Sequence, residues 1–256
     1  MNKFLEKVKS GKKPIGVFFE MDSMMAAECI GRSGFDYIII DNEHGVFEGE
    51  STLNAIRGAN LSGVTPFVRV REISRPAIMK PLDVGAQGLI VPFVKTVEDV
   101  KNIIGWGKFA PVGSRGFCWS RKDGWGFDDI YQQPLNDYMD CVNSNALLIP
   151  QCEDQQCLDS IEEITALEGV DGIFIGPYDL SIGMGIPGDF ENPRFKDALE
   201  RIKKACCDNG KFVMMFALEA EKGKSYLNDG YDSVAVGLDV RFYINACKEV
   251  VDKMNS

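Results

Sequence analysis

The feature that most constrains this chain is an alternation sustained along its length, in which short apolar runs are each followed by a longer stretch of helical spacing. The runs are IGVFFE (15 to 20), DYIIID (36 to 41), TPFVRV (65 to 70), GLIVPFV (88 to 94), ALLIPQCE (146 to 153), DGIFIG (171 to 176), KFVMMF (211 to 216) and DSVAVG (232 to 237). Helical patterns fill about 22 to 33, 49 to 59, 75 to 85, 96 to 107, 154 to 167, 193 to 208, 218 to 229 and 239 to 253. Apolar runs joined in this way read as parallel strands with crossover helices. Glycines in GRSGFD, LDVGAQG, LEGVDG and LNDGYD suit the left-handed residue that closes a helix before the next strand. Eight strand-helix units predict an α/β fold of the TIM (β/α)8 type, and 256 residues fit one such barrel as a single domain over 1–256.

The irregular part is 109 to 145, FAPVGSRGFCWSRKDGWGFDDIYQQPLNDYMDCVNSN, which is longer than an ordinary connection and carries an extra helical pattern at 128 to 142. It reads as an inserted lid or subunit-contact loop, or as a mere insertion.

Charge and cysteine usage exclude several classes of function. A net charge of −10 argues against phosphate-backbone binding, so neither nucleic acid nor an anionic membrane is an expected partner. No apolar run approaches the roughly 18 residues of a membrane span, and the charged start MNKFLEKVKSGKKP has no hydrophobic signal core. The eight cysteines show neither zinc-site spacing nor a disulfide framework, so reduced thiols in a cytoplasmic protein are expected.

In a barrel, active-site groups gather at the C-terminal strand ends, and polar residues accumulate there in this sequence. Strand 1 ends at Glu20 with Asp22 close behind, strand 2 at Asp41, Glu43 and His44, and strand 3 at Arg69 and Arg71. Strand 5 delivers Gln151 and Glu153, strand 6 runs through a Gly-Pro turn into Asp179, and strand 8 runs into Asp239. Gln151 and Glu153 share one side of their strand. Glu153 and Asp179, oxygen donors on neighbouring strands, suit a hard divalent cation such as Mg or Mn, while the plainer alternative is that both cap the helices that follow.

His44 is the only histidine, and an imidazole at a strand end beside carboxylates is placed to exchange protons near neutrality. Arg69 ends an otherwise apolar strand and needs an anion, either a substrate carboxylate or developing enolate, or a barrel carboxylate such as Asp83.

These residues resemble the HpcH/HpaI aldolases, metal-dependent (class II) pyruvate aldolases on a TIM barrel. The resemblance is carried by GFDYIIIDNEHG (34 to 45), PFVRV (66 to 70), LDVGAQGLIVPFVKTVEDV (82 to 100), PVGSRG (111 to 116), LIPQCED (148 to 154), LEGVDGIFIGPYDLSIGMGIPG (167 to 188) and VAVGLD (234 to 239). It runs in order over nearly the whole chain. By this resemblance Glu153 and Asp179 are the ligands of a divalent metal, Mg or Mn ahead of Co or Zn, and Arg69 is the catalytic arginine. His44 with Asp41 forms the proton-transfer dyad, Asp83 is a helper carboxylate near it, and Gln151 contacts the bound oxo acid. The backbone turn of Gly176, Pro177, Tyr178 and Asp179 receives the pyruvate carboxylate. The implied activity is reversible cleavage of a 4-hydroxy-2-oxo acid to pyruvate, or a related 2-oxo acid, and an aldehyde through a metal-stabilised enolate. The implied assembly is a homo-oligomer, a hexamer.

The chain departs from the family pattern at three places. GVFEGE follows His44 where the family has Ala-Pro-Asn-Asp, FCWSRKDGWGFDD follows SRG, and Glu20 stands where a small or apolar residue is usual. Three further readings are weighed beside the aldolase: a class I enzyme with a Schiff base on Lys95, a related acyl-CoA lyase, and a non-catalytic barrel that binds a metal or an oxo acid.

Overall fold

The computed structural model describes residues 2–129 and 133–256. The strands β1 (Ile15–Phe19), β2 (Tyr37–Asp41), β3 (Thr65–Arg69), β4 (Gly88–Val91), β5 (Leu147–Cys152), β6 (Gly172–Ile175), β7 (Phe212–Ala217) and β8 (Ser233–Leu238) are all parallel, pair in chain order and close β8 onto β1. The expected (β/α)8 barrel is the observed one. Around it run α1 (Lys3–Lys9), α2 (Met24–Arg32), α3 (Gly49–Ser62), α4 (Arg75–Val84), α5 (Val97–Gly107), α6 (Leu135–Asn145), α7 (Gln155–Asp159), α8 (Ile161–Ala166), α9 (Pro177–Gly183), α10 (Pro193–Asp208), α11 (Ala220–Asn228) and α12 (Asp239–Asn255). Glycine closes helices as its spacing suggests: Gly34 and Gly85 have φ of 103° and 113°, a conformation that a side chain strains.

Both strand faces are buried, and period two sorts them into two layers. Val17, Ile38, Ile40, Val68, Leu89, Leu148 and Ile173 pack outward under the helices, whereas Phe18, Tyr37, Ile39, Phe67, Ile90, Leu147, Ile149 and Phe174 fill the barrel. The inward phase then carries Asp41, Arg69 and Gln151 to the C-terminal mouth. The register sets Asp41 directly beside Arg69.

Three features lie outside the sequence expectation. The charged N-terminal stretch forms α1, whose fully buried Phe4 meets the rings of Tyr37, Phe67 and Phe212 at 5.3, 5.0 and 5.2 Å and plugs the N-terminal end of the barrel. Asn2 caps this helix by accepting from the Phe4 and Leu5 amides. The pattern at 154 to 167 breaks at Ser160 into α7 and α8, and a short helix, α9, opens at Pro177 right after β6. The extra helix expected at 128 to 142 is observed as α6, starting at Leu135; positions 130–132 lie outside the described residues.

Candidate active site

Strand phase builds the site from its floor upward. Phe18, Phe174 and Phe216 cover the barrel interior, and above them a cavity of about 140 Å³ is walled by Glu20, His44, Arg69, Gln151, the turn from Gly176 through Pro177 and Tyr178 to Asp179, and Leu238. Arg69 stands at its centre of charge. Its Nε and Nη2 donate to the two oxygens of Asp41 at 2.9 and 2.6 Å, and its Nη1 lies 2.9 Å from Glu43 Oε2. The guanidinium also lies 4.7 Å above the Phe18 ring. Burial alone would lower the Arg69 pKa, but the Asp41 and Glu43 carboxylates more than offset it and hold the group above its ordinary value.

Glu43 gains less from the arrangement. Its Oε2 is buried without an aligned hydrogen bond, and burial, which outweighs the attraction of Arg69, pushes its carboxyl up to about 7. A carboxyl that titrates near neutrality within reach of the only imidazole is a feature that sequence reasoning left without a role. Its signal was present in the NEHG stretch, but strand periodicity stops at Asp41 and says nothing about how the turn beyond it folds.

That turn is tight. Asp41 Oδ1 accepts the backbone N–H groups of Glu43 and His44, and a Cβ on Gly45 would lie 2.3 Å from the Asp41 carbonyl oxygen, so glycine is required. Phe47 then anchors the divergent stretch against the Phe19 ring, and the Glu48 amide donates to Ser51 Oγ to start α3.

Across the mouth, Gln151 and Glu153 point the same way, as their spacing suggests, and the Gln151 amide donates to Glu153 Oε2. Glu153 Oε1 accepts the Phe93 amide at 2.8 Å, and Phe93 has a φ of 57°, a left-handed backbone unusual for a bulky residue. Nothing in the PFVK stretch signals this. Burial raises the Glu153 pKa and nearby Asp179 raises it further, while the Phe93 and Gln151 donors pull it down. Neither carboxylate is a helix cap: Asp154 caps α7, and Gly176 stands at the N-cap of α9 with Asp179 in its first turn. Gly176 approaches so closely that a Cβ there would lie 3.2 Å from Glu153 Oε2.

Whether these residues fit a divalent cation can be judged from what surrounds them. Two carboxylates repel across the β5–β6 edge, and beside them Gln151 Oε1 is buried with no partner. Among the described residues no group of three or more His, Cys, Asp or Glu side chains is gathered as a ligand set. A cation that keeps waters and substrate oxygens and takes only one or two protein carboxylates, as Mg does, fits this donor set.

The geometry corrects three expectations. Asp41 does not orient the imidazole: fully buried, its carboxylate is taken up by the guanidinium and two backbone amides. The His44 ring is 68% exposed, and its nearest carboxylate is Glu43, with Nε2 to Oε2 at 3.9 Å. Asp83 does not join the site within the chain, because helices run antiparallel to strands and the last turn of α4 lies toward the opposite end of the barrel. There Asp83 accepts from Arg115 at 2.6 Å, on the wall of a separate groove of about 650 Å³ between α3 and α4. Arg69 accordingly pairs with Asp41 and Glu43, not with Asp83.

Comparison with known proteins gives the chain a family and a fold. A sequence profile described as HpcH/HpaI aldolase/citrate lyase matches residues 14–246. The 2-keto-3-deoxy-L-rhamnonate aldolase of Escherichia coli is 31% identical over 247 residues, spanning 96% of this chain and 90% of its own. Among solved structures, an HpcH/HpaI aldolase/citrate lyase family protein from Burkholderia cenocepacia superposes with a TM-score of 0.89 at 27% identity over 100% of both chains. Macrophomate synthase gives 0.85 at 25% identity, covering 99% of this chain and 88% of its own.

Proposed function

Because the chain belongs to the HpcH/HpaI aldolase/citrate lyase family, we propose that it is a carbon-carbon lyase, a class II aldolase that reversibly cleaves a 4-hydroxy-2-oxo acid to pyruvate, or a related 2-oxo acid, and an aldehyde. The observation that carries this reading is the convergence of His44, Arg69, Gln151 and Asp179, from the C-terminal ends of four strands and the turns that follow them, on one cavity.

Glu153 and Asp179 would hold the divalent cation, Mg or Mn ahead of Co or Zn. When bound, the cation supplies Lewis acidity to the 2-oxo group. The Gly176–Asp179 turn lines the cavity, and the first-turn amides of Tyr178 and Asp179, which have no intrahelical acceptor, would receive the oxo-acid carboxylate. Gln151 lies beside that group. Arg69, held rigid by two carboxylates, puts positive charge where the carbonyl oxygen becomes negative. His44 accepts the proton of the C4 hydroxyl, the C3–C4 bond breaks, the aldehyde leaves, and its electron pair remains as the pyruvate enolate. Return of a proton to C3 gives pyruvate. Glu43 is the carboxylate beside the imidazole in this scheme, the place the resemblance gives to Asp41.

Lys95 is exposed and, among the described residues, no lysine walls the cavity, so the Schiff-base reading draws no support from it. The inserted segment 109–145 supports a subunit contact better than a lid. Arg115 and Arg121 fasten it to Asp83 and to the Val84 carbonyl at the end of α4, away from the mouth, and it exposes Trp119, Trp125 and Phe127. Residues 241–256 of α12 and its end are all exposed, among them Phe242, Tyr243, Ile244, Val250 and Val251, which supports a homo-oligomer, a hexamer by family resemblance. All eight cysteines are unpaired, in keeping with a cytoplasmic setting, and no helix among the described residues is long and apolar enough to cross a membrane.

The test is aldol addition of pyruvate to a panel of aldehydes, with Mg or Mn and after exhaustive chelation, beside exchange of the pyruvate methyl protons into deuterium oxide. Metal-dependent exchange and addition are expected. Full activity after chelation overturns the metal assignment, and absence of exchange with every metal overturns the aldolase.

A further inference from the structure

One acid in the cavity has no part in this scheme. Glu20 follows β1, lines the cavity beside His44 and Arg69, and is half-buried. Its amide is held by Asp239, which also accepts from Met21, so the backbone that aims the side chain is fixed from the start of α12, just beyond β8. Its carboxylate, by contrast, accepts no hydrogen bond and pairs with no cation among the described residues, although it stands close enough to Asp41, Asp239, Arg69 and His44 to feel their charges. A free carboxylate is thus aimed into a site where, Asp179 of the β5–β6 carboxylate pair apart, the other acids are engaged: Asp41 and Glu43 by Arg69, Glu153 by Phe93 and Gln151, Asp239 by amides.

Position tells which half of the substrate it meets. In a closed ring of eight strands, β1 lies diametrically across from β5. An oxo acid anchored by Glu153 and the Gly176–Asp179 turn on the β5–β6 side presents its C3–C4 bond, and the aldehyde beyond it, toward β1 and β2. That is where Glu20 and His44 stand. We propose, resting on the aldolase reading above, that Glu20 reads the aldehyde: it accepts a hydrogen bond from a hydroxyl on the carbon next to the aldehyde group and turns away aldehydes that carry a carboxylate or phosphate.

Two physical arguments fix both halves of this preference. A half-buried carboxylate that loses its water to an aldehyde without a donor is left unsatisfied, so the site penalises the unsubstituted analogue more than it rewards the hydroxylated one. Rejection of anions follows from the edge at Glu20 itself, which feels the charges of Asp41 and Asp239, while the guanidinium that lines the cavity, Arg69, is already engaged by Asp41 and Glu43. Burial, and after it the charges of Asp41 and Asp239, raise the Glu20 pKa, and an anion brought to this edge adds to the same repulsion.

The experiment measures kcat/KM for addition of pyruvate to lactaldehyde, to propionaldehyde, which lacks only the hydroxyl, and to succinic semialdehyde, in the wild type, Glu20→Leu and Glu20→Gln. Wild type is expected to favour lactaldehyde over propionaldehyde by about ten-fold or more, the discrimination of one hydrogen bond to a charged group. Glu20→Leu brings that ratio near one, while Glu20→Gln keeps part of it and gains several-fold on succinic semialdehyde. A wild type indifferent to the hydroxyl, or a ratio unchanged in Glu20→Leu, overturns the proposal. Pyruvate proton exchange in the wild type, which needs no aldehyde, separates the two levels. Exchange with unchanged ratios removes the Glu20 assignment alone; no exchange removes the aldolase reading and the Glu20 assignment with it.

Discussion

Replacing Glu43 by glutamine tests whether burial or ion pairing governs the acid beside Arg69. The Glu43 side chain is 7% exposed and touches Arg69, yet its carboxyl titrates at about 7 in the fold against an ordinary value of 4.5. The fold therefore favours the neutral form, and the stability this provides is complete below pH 4.5 and is lost as pH rises through about 7. A displacement of that size corresponds to about 3 kcal/mol at 1.36 kcal/mol per pH unit. Glutamine keeps the volume and has no charge to lose. Relative to the wild type, Glu43→Gln should gain about 3 kcal/mol between roughly pH 5 and pH 8. Urea unfolding at fixed protein concentration reads this directly, with excess chelator so that no divalent cation near Glu153 biases the titration. Parallel stability profiles for the two chains would refute the argument, because they would mean that Glu43 is charged in the fold at every pH tested and that Arg69, not burial, sets its state.

Other expectations follow from the same geometry. Arg69→Met strands the fully buried Asp41 carboxylate and should cost about 3–5 kcal/mol in urea, together with a loss in kcat of about 100-fold or more in pyruvate proton exchange. His44→Ala should cut aldol cleavage by about 100-fold or more while Mn binding, followed by its paramagnetic resonance, survives; cleavage at the wild-type rate sinks the proton-transfer role. Phe4→Ala empties the plug at the closed end of the barrel and should cost about 3–5 kcal/mol in a melt, with KM for pyruvate unchanged because the site lies at the other end.

How much of this was legible in the sequence depends on what each residue answers to. Strands buried on both faces announce themselves as apolar runs, and period two then predicts which polar residue at the end of each run faces inward. Arg69, Gln151 and Glu153 are readable for that reason. His44 and Glu43 lie one turn beyond β2, where no period applies and the path depends on the bend that only Gly45 permits. The resemblance makes Asp41 the partner of the imidazole, but β2–β3 register sets Arg69 beside it, and a guanidinium fork satisfies a buried carboxylate better than an exposed ring can. Asp83 was drawn toward the dyad by the resemblance, whereas helix direction sends it the other way. The plug α1 was hidden by its charges, since one buried phenylalanine among lysines leaves no periodic signature.

The left-handed turn at Phe93 carries a consequence for how this site varies among proteins. The contact that steadies Glu153 comes from the main chain, so it survives exchange of the Phe93 side chain for any residue able to adopt that φ and is lost only when the loop changes shape or proline removes the donor. Homologues could therefore differ freely in the letter at position 93 while inheriting the same grip on the acid, and an alignment would score as drift a position at which the conformation, not the residue, is the inherited trait.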